Sequence, residues 1–214
     1  MRYFAMQSVN RMSDLNKALG DISSIRRQMA RSTEFRGYGP ATLCATGLIA
    51  VLAAAWQALF IPDVPHRFSA YLAVWVGTAV ISAALIGTQM HARTRRIHSG
   101  MADEMIRMAV EQFLPSAVAG ALLTVVLTAF VPGALWVLPG LWQITFSLGV
   151  FSSCRFLPRL MLLAGVWYLA TGLFCVALGD ARAFSPWAMG ISYGAGQLLV
   201  GAILQFTREE TDEV

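Results

Sequence analysis

The chain has 214 residues, 57% of them hydrophobic and only 13% charged. A soluble domain carries roughly 25% charged residues, and a soluble helical bundle needs a polar face on each helix, so the composition excludes an ordinary soluble protein. The net charge of +4 would suit nucleic acid, but the placement of the basic residues gives them another role, and no direct nucleic-acid binding is expected.

Residues 1–39 are the most polar part of the chain. The start MRYFAMQSVNRMSDLNKALG has no apolar core of signal-peptide type, so the first span is expected to direct insertion. Leu15, Leu19, Ile22, Ile25 and Met29 recur at steps of three and four, the apolar stripe of a helix. Arg26, Arg27 and Arg31 lie around it. Such a helix can rest on an anionic membrane surface, pair with a second copy in a homo-oligomer, or grip a soluble partner. Packing beneath the bundle is the plain alternative. The segment 1–39 is read as a cytoplasmic amphipathic helix with Leu15, Leu19, Ile22, Met29, Arg26, Arg27 and Arg31 as its contact residues.

Beyond it, charge is absent in blocks. No Asp, Glu, Lys or Arg lies between Arg36 and Asp63, Arg67 and Arg93, Glu111 and Arg155, Arg159 and Asp180, or Arg182 and Arg208. A spanning helix needs about 20 apolar residues. The third block is twice that length and contains VPGALWVLPG, so it divides in two. The prediction is an all-α membrane protein with six transmembrane helices over 40–62, 68–90, 114–132, 134–153, 158–179 and 185–206. The domain is thus a bundle over 40–206, with a cytoplasmic connection at 91–112 and an acidic cytoplasmic tail at 207–214.

With both termini inside, only Arg67 and Arg182 of the 16 basic residues fall in outer loops. That is a strong positive-inside bias, and it is expected of a multi-pass membrane protein with both termini in the cytoplasm. Trp56, Tyr71, Trp136 and Trp187 then fall toward the outer interface, where amphipathic rings are favoured. The 91–112 connection repeats the amphipathic theme with Met101, Met105 and Met108, a residue type suited to adaptable contacts.

A three-fold hairpin repeat is also suggested. The odd spans begin at Pro40, Pro115 and Pro158, and the even spans end with a glycine followed by an arginine: Gly87 and Arg93, Gly149 and Arg155, Gly201 and Arg208. Three parallel hairpins about an axis along the membrane normal would produce this pattern; common membrane-boundary chemistry would as well.

Helices in lipid associate through small residues and interhelical hydrogen bonds. Stripes of that kind occur at Gly47, Ala50, Ala54 and Gln57; at Ala73, Gly77, Ala84 and Thr88; at Gly140, Gln143 and Ser147; at Gly165, Tyr168, Gly172 and Cys175; and at Gly190, Gly194, Gln197 and Gly201. All are expected to face into the bundle. Gln143, Tyr168, Thr171 and Gln197 form the candidate polar site of the core, because a buried amide is costly unless paired. They either bond to one another and to backbone, or line a small polar pocket or pathway. Pro139-Gly140 leaves a carbonyl without its helical donor or marks a late start to the fourth span.

No ionisable residue lies deep in a span, which disfavours proton-coupled transport, and no cofactor is expected. Two sets could hold a metal: Asp63, His66 and Asp180 outside, and His91 and His98 inside. Ordinary solvated positions are the simpler reading of both. The three cysteines form no CxxC, so a disulfide framework is unsupported.

The stretch IRRQMARSTEFRGYGPATLCATGLIA, residues 25–50, resembles the start of a family of uncharacterised six-span bacterial inner-membrane proteins. The matching residues are Ile25, Arg26, Met29, Arg31, Ser32, Thr33 and Phe35; Gly37-Tyr38-Gly39-Pro40 departs from the family's Leu/Ser-rich junction. The resemblance implies a winged-helix regulator as a cytoplasmic partner and brings no activity. Together these features point to a regulatory or scaffolding membrane protein that contacts the lipid bilayer and a cytoplasmic protein. The alternatives are a channel or facilitator for a small neutral solute, and a metal-binding protein or enzyme. A reporter active only in the cytoplasm is expected to be active when fused after Val214 and silent when inserted within 63–67; the opposite pattern would overturn the topology.

Overall fold

A computed structural model describes residues 40–94, 100–154 and 160–212, with side chains placed for 40–91, 107–108, 110–154 and 160–206. The expected helix carrying Leu15, Leu19, Ile22, Met29, Arg26, Arg27 and Arg31 lies outside the described residues, as do the side chains of Met101 and Met105. Met108 is half-buried.

The regular elements among the described residues are all helical. They are α1 (Pro40–Phe60), α2 (Phe68–Thr94), α3 (Gly100–Phe130), α4 (Leu138–Ser153), α5 (Met161–Ala177) and α6 (Pro186–Asp212), with short 3-10 turns at Pro65–Arg67, Pro132–Val137 and Ala181–Phe184. Among the described residues five stretches are long and apolar enough to cross a membrane: Pro40–Phe60, Pro65–His91, Val110–Phe130, Pro132–Ser153 and Pro186–Phe206. The sixth, α5, is apolar but only 17 residues long, or about 26 Å at 1.5 Å per residue.

Proline sets several of the starts. Pro40 and Pro186 stand at the first positions of α1 and α6, and Pro139 lies in the first turn of α4. A first-turn residue has no intrahelical N–H bond to lose. The Pro139-Gly140 pair therefore marks a late start rather than a break inside a span. Pro115 differs from its expected place at the head of a span, since it sits inside α3. The connection predicted over 91–112 is correspondingly mostly helix, because α2 continues to Thr94 and α3 begins at Gly100. At the other end of the bundle Gly179 takes a positive φ of 71° just after α5, a helix stop that glycine makes at no steric cost. Arg67 donates from Nη1 to the carbonyl of Phe60 at 3.0 Å and so satisfies an end carbonyl of α1.

The helices form a ring in chain order. Packing is most extensive between α1 and α6 and between α4 and α5; α3 lies along α4, and α2 along α1, with α5 beside α6. No comparable packing joins α2 to α3 among the described residues. Three parallel hairpins would place α2 against α3, α4 against α5 and α6 against α1. Two of these three joints are present, and the ring is open at the first. The outermost helices carry the most exposed apolar surface, including Val76, Val80, Ile81 and Leu85 on α2 and Leu114, Leu122, Val125 and Phe130 on α3.

Four of the five expected stripes face inward. Ala50, Ala54, Gln57, Gln143, Ser147, Tyr168 and Cys175 are all buried. The stripe of α2 faces the other way, for Ala73, Ala84 and Thr88 are exposed and Gly77 has open space where a side chain would be. The inward positions of α2 are taken by Tyr71 and Trp75, which bury far more area than alanine or glycine could. Tyr71 therefore belongs to the core and not to an interfacial belt, while Trp56 and Trp187 are exposed.

Glycine allows the two main joints. A methyl group on Gly140 would lie 2.7 Å from the carbonyl oxygen of Gly172 and 3.1 Å from the amide nitrogen of Val176. One on Gly47 would lie 3.0 Å from the carbonyl oxygen of Gly194. Val176 Cγ2 lies nearer still, 2.6 Å from a methyl on Gly140, but the carbonyl oxygens of Gly172 and Gly194 are backbone and cannot turn aside, so the helices themselves would have to part. Gly140→Ala is expected to destabilise the bundle by about 1–3 kcal/mol, the usual penalty of overpacking. Gly77→Ala is expected to be neutral or stabilising. Thermal unfolding in detergent compares the two, and equal melting points would refute the packing argument.

Candidate functional site

Polar side chains enter the bundle at two levels. The first lies at the end that carries the three 3-10 turns. There Gln57 of α1 is completely buried. Its Nε2 donates to the carbonyl of Phe184 at 2.8 Å, and its Oε1 accepts from the indole Nε1 of Trp75 at 2.7 Å. One amide thus ties α1 to α2 and to the turn before α6. Around it stands an aromatic cluster. Tyr71 stacks on Trp142 at 6.4 Å and meets Phe184 edge-on at 5.2 Å. Trp142 donates from Nε1 to the Thr124 hydroxyl at 2.8 Å, which links α4 to α3. Tyr71 therefore reaches across the open joint of the ring at this end, through α4.

The second level is deeper. Gln143 of α4 is fully buried, with its Cβ set against Gly172 of α5. Its Nε2 donates to the carbonyl of Ala188 at 3.2 Å and approaches the Met189 sulfur at 3.7 Å. Tyr168 of α5 is likewise buried, its ring 4.7 Å from that of Phe146 and 5.4 Å from that of Tyr193, with Gly196 of α6 giving it room. Trp167 donates from Nε1 to the carbonyl of Ser192 at 2.9 Å. Three buried polar atoms at these two levels have no hydrogen-bond partner among the described residues: the Tyr71 hydroxyl, Gln143 Oε1 and the Tyr168 hydroxyl.

The four residues predicted as a polar site are only partly brought together. Gln143 and Tyr168 share the space between α4, α5 and α6. The Thr171 hydroxyl is turned back on its own helix, donating to the carbonyls of Trp167 at 3.0 Å and Tyr168 at 3.2 Å. Gln197 lies on another face of α6, where its Cβ would be 3.1 Å from a methyl on Gly47 of α1. Gln57 and Tyr71 complete the buried polar set. Gln57 was visible in the sequence as the end of a small-residue stripe; Tyr71 gave no such signal, because an aromatic near a span end reads as an interfacial ring.

The exposed charges near the turns form two separate local pairs. Asp63 accepts from His66 Nδ1 at 2.9 Å, and Asp180 accepts from Arg182 Nε at 2.9 Å. The side-chain hydrogen bond from His66 holds the Asp63 carboxyl below its ordinary range, and that from Arg182 does the same for Asp180. Both groups favour the folded loops above the ordinary carboxylate range, and the contribution is lost as pH falls through the lowered values. No group of three or more His, Cys, Asp or Glu side chains is placed to hold a metal among the described residues. His98 lies outside them.

Helices of this length and composition, joined by short turns around an apolar interior, define an all-helical, multi-pass membrane protein. No family model, curated protein or solved structure matches the chain.

The unequal pairing of the two glutamines can be measured. Gln57→Leu removes two good bonds and leaves the Trp75 indole N–H and the Phe184 carbonyl without Gln57 as partner; it is expected to cost about 1–3 kcal/mol. Gln143→Leu removes the long bond to Ala188, the contact with the Met189 sulfur and one unpartnered oxygen, and is expected to lie near the membrane average of about 0.6 kcal/mol. Thermal or denaturant unfolding orders the pair, and a larger loss at Gln143 would show that its free oxygen has a partner after all.

Proposed function

We propose that this is a six-span bacterial inner-membrane protein with both termini in the cytoplasm, which acts as a regulator or scaffold. On this reading α5 completes the sixth span with the residues flanking it, and the segment 1–39 together with Met101, Met105 and Met108 meets a cytoplasmic protein. The resemblance of residues 25–50 makes a winged-helix regulator the favoured partner. What supports a scaffold over a conduit is the filling of the bundle. Tyr168, Phe146 and Tyr193 occupy its middle, ring against ring, and Tyr71, Trp75, Trp142 and Phe184 occupy the turn end. A solute crossing between α4, α5 and α6 would have to displace both layers.

A second reading draws on the unpartnered atoms. Gln143 Oε1 is an acceptor, and the hydroxyls of Tyr71 and Tyr168 can donate or accept. Together they would suit water or a small neutral solute with several hydrogen-bonding groups, and so a facilitator.

Two experiments separate the readings. In proteoliposomes the wild-type protein is expected to leave permeability to water, glycerol and urea at the level of empty vesicles; protein-dependent flux abolished by Tyr168→Phe would establish the facilitator instead. In cells, Ile22→Glu with Met29→Glu is expected to reduce cross-linking to a cytoplasmic partner while membrane yield holds, since unpaired carboxylates on an apolar docking face are strongly unfavourable. Unchanged cross-linking, or free proteolysis between residues 8 and 34 of the wild-type protein in its native membrane, would remove the support for a partner.

A further inference from the structure

Two apolar layers cross the bundle. At the turn end Tyr71, Trp75, Phe184 and Met189 pack together. At the other end Leu43, Ile203 and Leu204 do so, with Ile86 of α2 and Val200 of α6 against them. We propose that the level between these layers is a binding site for a neutral amphiphile, a molecule with an apolar chain and a small hydroxyl, amide or carbonyl head, which enters from the lipid through the open joint of α2 with α3. The inference rests on the chain being embedded in a membrane and on neither reading of its function.

Side chains at this level are turned inward without being covered. On α2 the inward line runs Tyr71, Trp75, Thr78, Ser82 and Ile86, in steps of three and four that keep to one helix face. Its two ends are packed into the two layers, so Ser82 faces the interior between them. Ser82 follows Phe68 by 14 residues, and Gln197 follows Phe184 by 13. The rings of Phe68 and Phe184 meet at 5.9 Å, and α2 and α6 both start at that end. At about 1.5 Å per residue, Ser82 and Gln197 therefore lie at one depth. Tyr193 is one turn nearer the start of α6, with its ring 5.5 Å from that of Phe146 on α4. Ser82, Phe146, Tyr193 and Gln197 are all half-buried, so residues turned to the interior are still reached from outside. The joint of α2 with α3 is the way in. It is bridged at the turn end, by Tyr71 against Trp142 and by Trp142 bonded to Thr124, and shows no comparable packing at this depth among the described residues.

The polar groups at this level are unused. A hydroxyl on a helix commonly bonds back to its own backbone, as Thr78 does to the carbonyl of Val74 at 2.8 Å. The Ser82 and Tyr193 hydroxyls and the Gln197 amide make no hydrogen bond among the described residues, and none of them is sealed off as the Tyr168 hydroxyl is. Such groups in lipid are costly without a partner, and the head of a ligand supplies one. The amide donates and accepts, and so do the hydroxyls, which suits a hydroxyl, amide or carbonyl head. A charged head is disfavoured, because no Asp, Glu, Lys, Arg or His occurs within 68–90, 114–153 or 186–206 to pair with it. The apolar layers bar the approach from either aqueous face, so the ligand is one that partitions into the bilayer. A plain hydrocarbon would fill the level and leave its polar groups unpaired.

The test uses the full-length protein in phosphatidylcholine vesicles and, as probe, dodecan-1-ol carrying a photoreactive diazirine on its chain. Every variant is first checked for retention in the membrane pellet after carbonate washing, so that a failure to embed is seen separately. Peptide mapping of the wild type is expected to place the label within 82–86, 146–150 and 193–200. Unlabelled dodecan-1-ol should compete for it and dodecane should not. Ser82→Ala, Tyr193→Phe and Gln197→Leu should each weaken binding of the alcohol by roughly fivefold, the loss of one hydrogen bond. Tyr193→Phe keeps the ring and its packing, and so carries the test if Gln197→Leu does not fold. Label spread evenly over the outward Val76, Val80, Leu122 and Val125 would overturn the site. Equal competition by dodecane, or unchanged binding in every variant that embeds, would overturn the assignment of the polar head.

Discussion

At Gly140 the backbone of α4 lies so close to α5 that a single methyl group would sit 2.7 Å from the carbonyl oxygen of Gly172. The joint of α1 with α6 is built alike, from Gly47 and Gly194. Within lipid there is no gain from hiding apolar side chains from water, so helices associate by close packing and by hydrogen bonds. Dispersion between atoms falls off within an ångström of contact. The two joints that bring backbone against backbone are therefore the ones that can hold the ring, and they are also its most extensive. Several buried groups lie beside them. Gln143 reaches Ala188 only because α4 lies hard against α5 at Gly172, and Tyr168 fits only because Gly196 has no side chain in its way.

The polar groups play a different part at each level. Near the turns Gln57 is satisfied at both ends, and its partners belong to α2 and to the segment entering α6. That amide ties these helices together at one height, and the free bonding capacity beside it is the Tyr71 hydroxyl alone among the described residues. Around Gln143 and Tyr168 the reverse holds. Bonding capacity is left over in a place with no bulk water to absorb it, and groups of that kind normally find a protein or water partner. The doubly bonded amide lies where the helices are tied together, and the unpartnered Gln143 oxygen and Tyr168 hydroxyl lie nearer the middle of the bundle. A response to a bound molecule would be expected at the second, since breaking the first would separate α1 from α2.

How far the sequence disclosed this can be followed residue by residue. Charge-free blocks and turn residues located the helices well, because the absence of charge over about 20 residues has one dominant cause. Small residues at helical spacing identified the inner faces of α1, α4, α5 and α6. The same rule failed for α2, since a stripe of alanine and glycine marks a face able to pack closely and does not say whether another helix is there. Tyr71 and Trp75 outweigh it by buried area and by the bond from Trp75 to Gln57. The candidate site was legible only in part for a related reason. Composition shows which polar residues lie near the middle of a span, but rotation about the helix axis decides whether they meet. Thr171 bonds its own helix, and Gln197 and Gly196 are neighbours in sequence yet face α1 and α5 respectively.

That rotation also sets the joint of α2 with α3 apart from the other two. If the three hairpins were equivalent, the joint of α2 with α3 would resemble those of α4 with α5 and α6 with α1. It would then need glycine on α2 pressed against backbone on α3. Gly77 and Gly87 are available on α2, and both have open space where a side chain would stand. On α3, Gly120 is directed instead toward Thr145 of α4. What spans this joint is Tyr71 against Trp142, with Trp142 bonded in turn to Thr124, and all of it lies at the turn end. Three residues with large rings or hydrogen bonds replace a line of glycine contacts, and they fasten one end only. The other two joints draw strength from their whole length, which no pair of side chains can match. Among the described residues the joint of α2 with α3 is thus held at its turn end alone, by Tyr71 against Trp142 and by Trp142 bonded to Thr124.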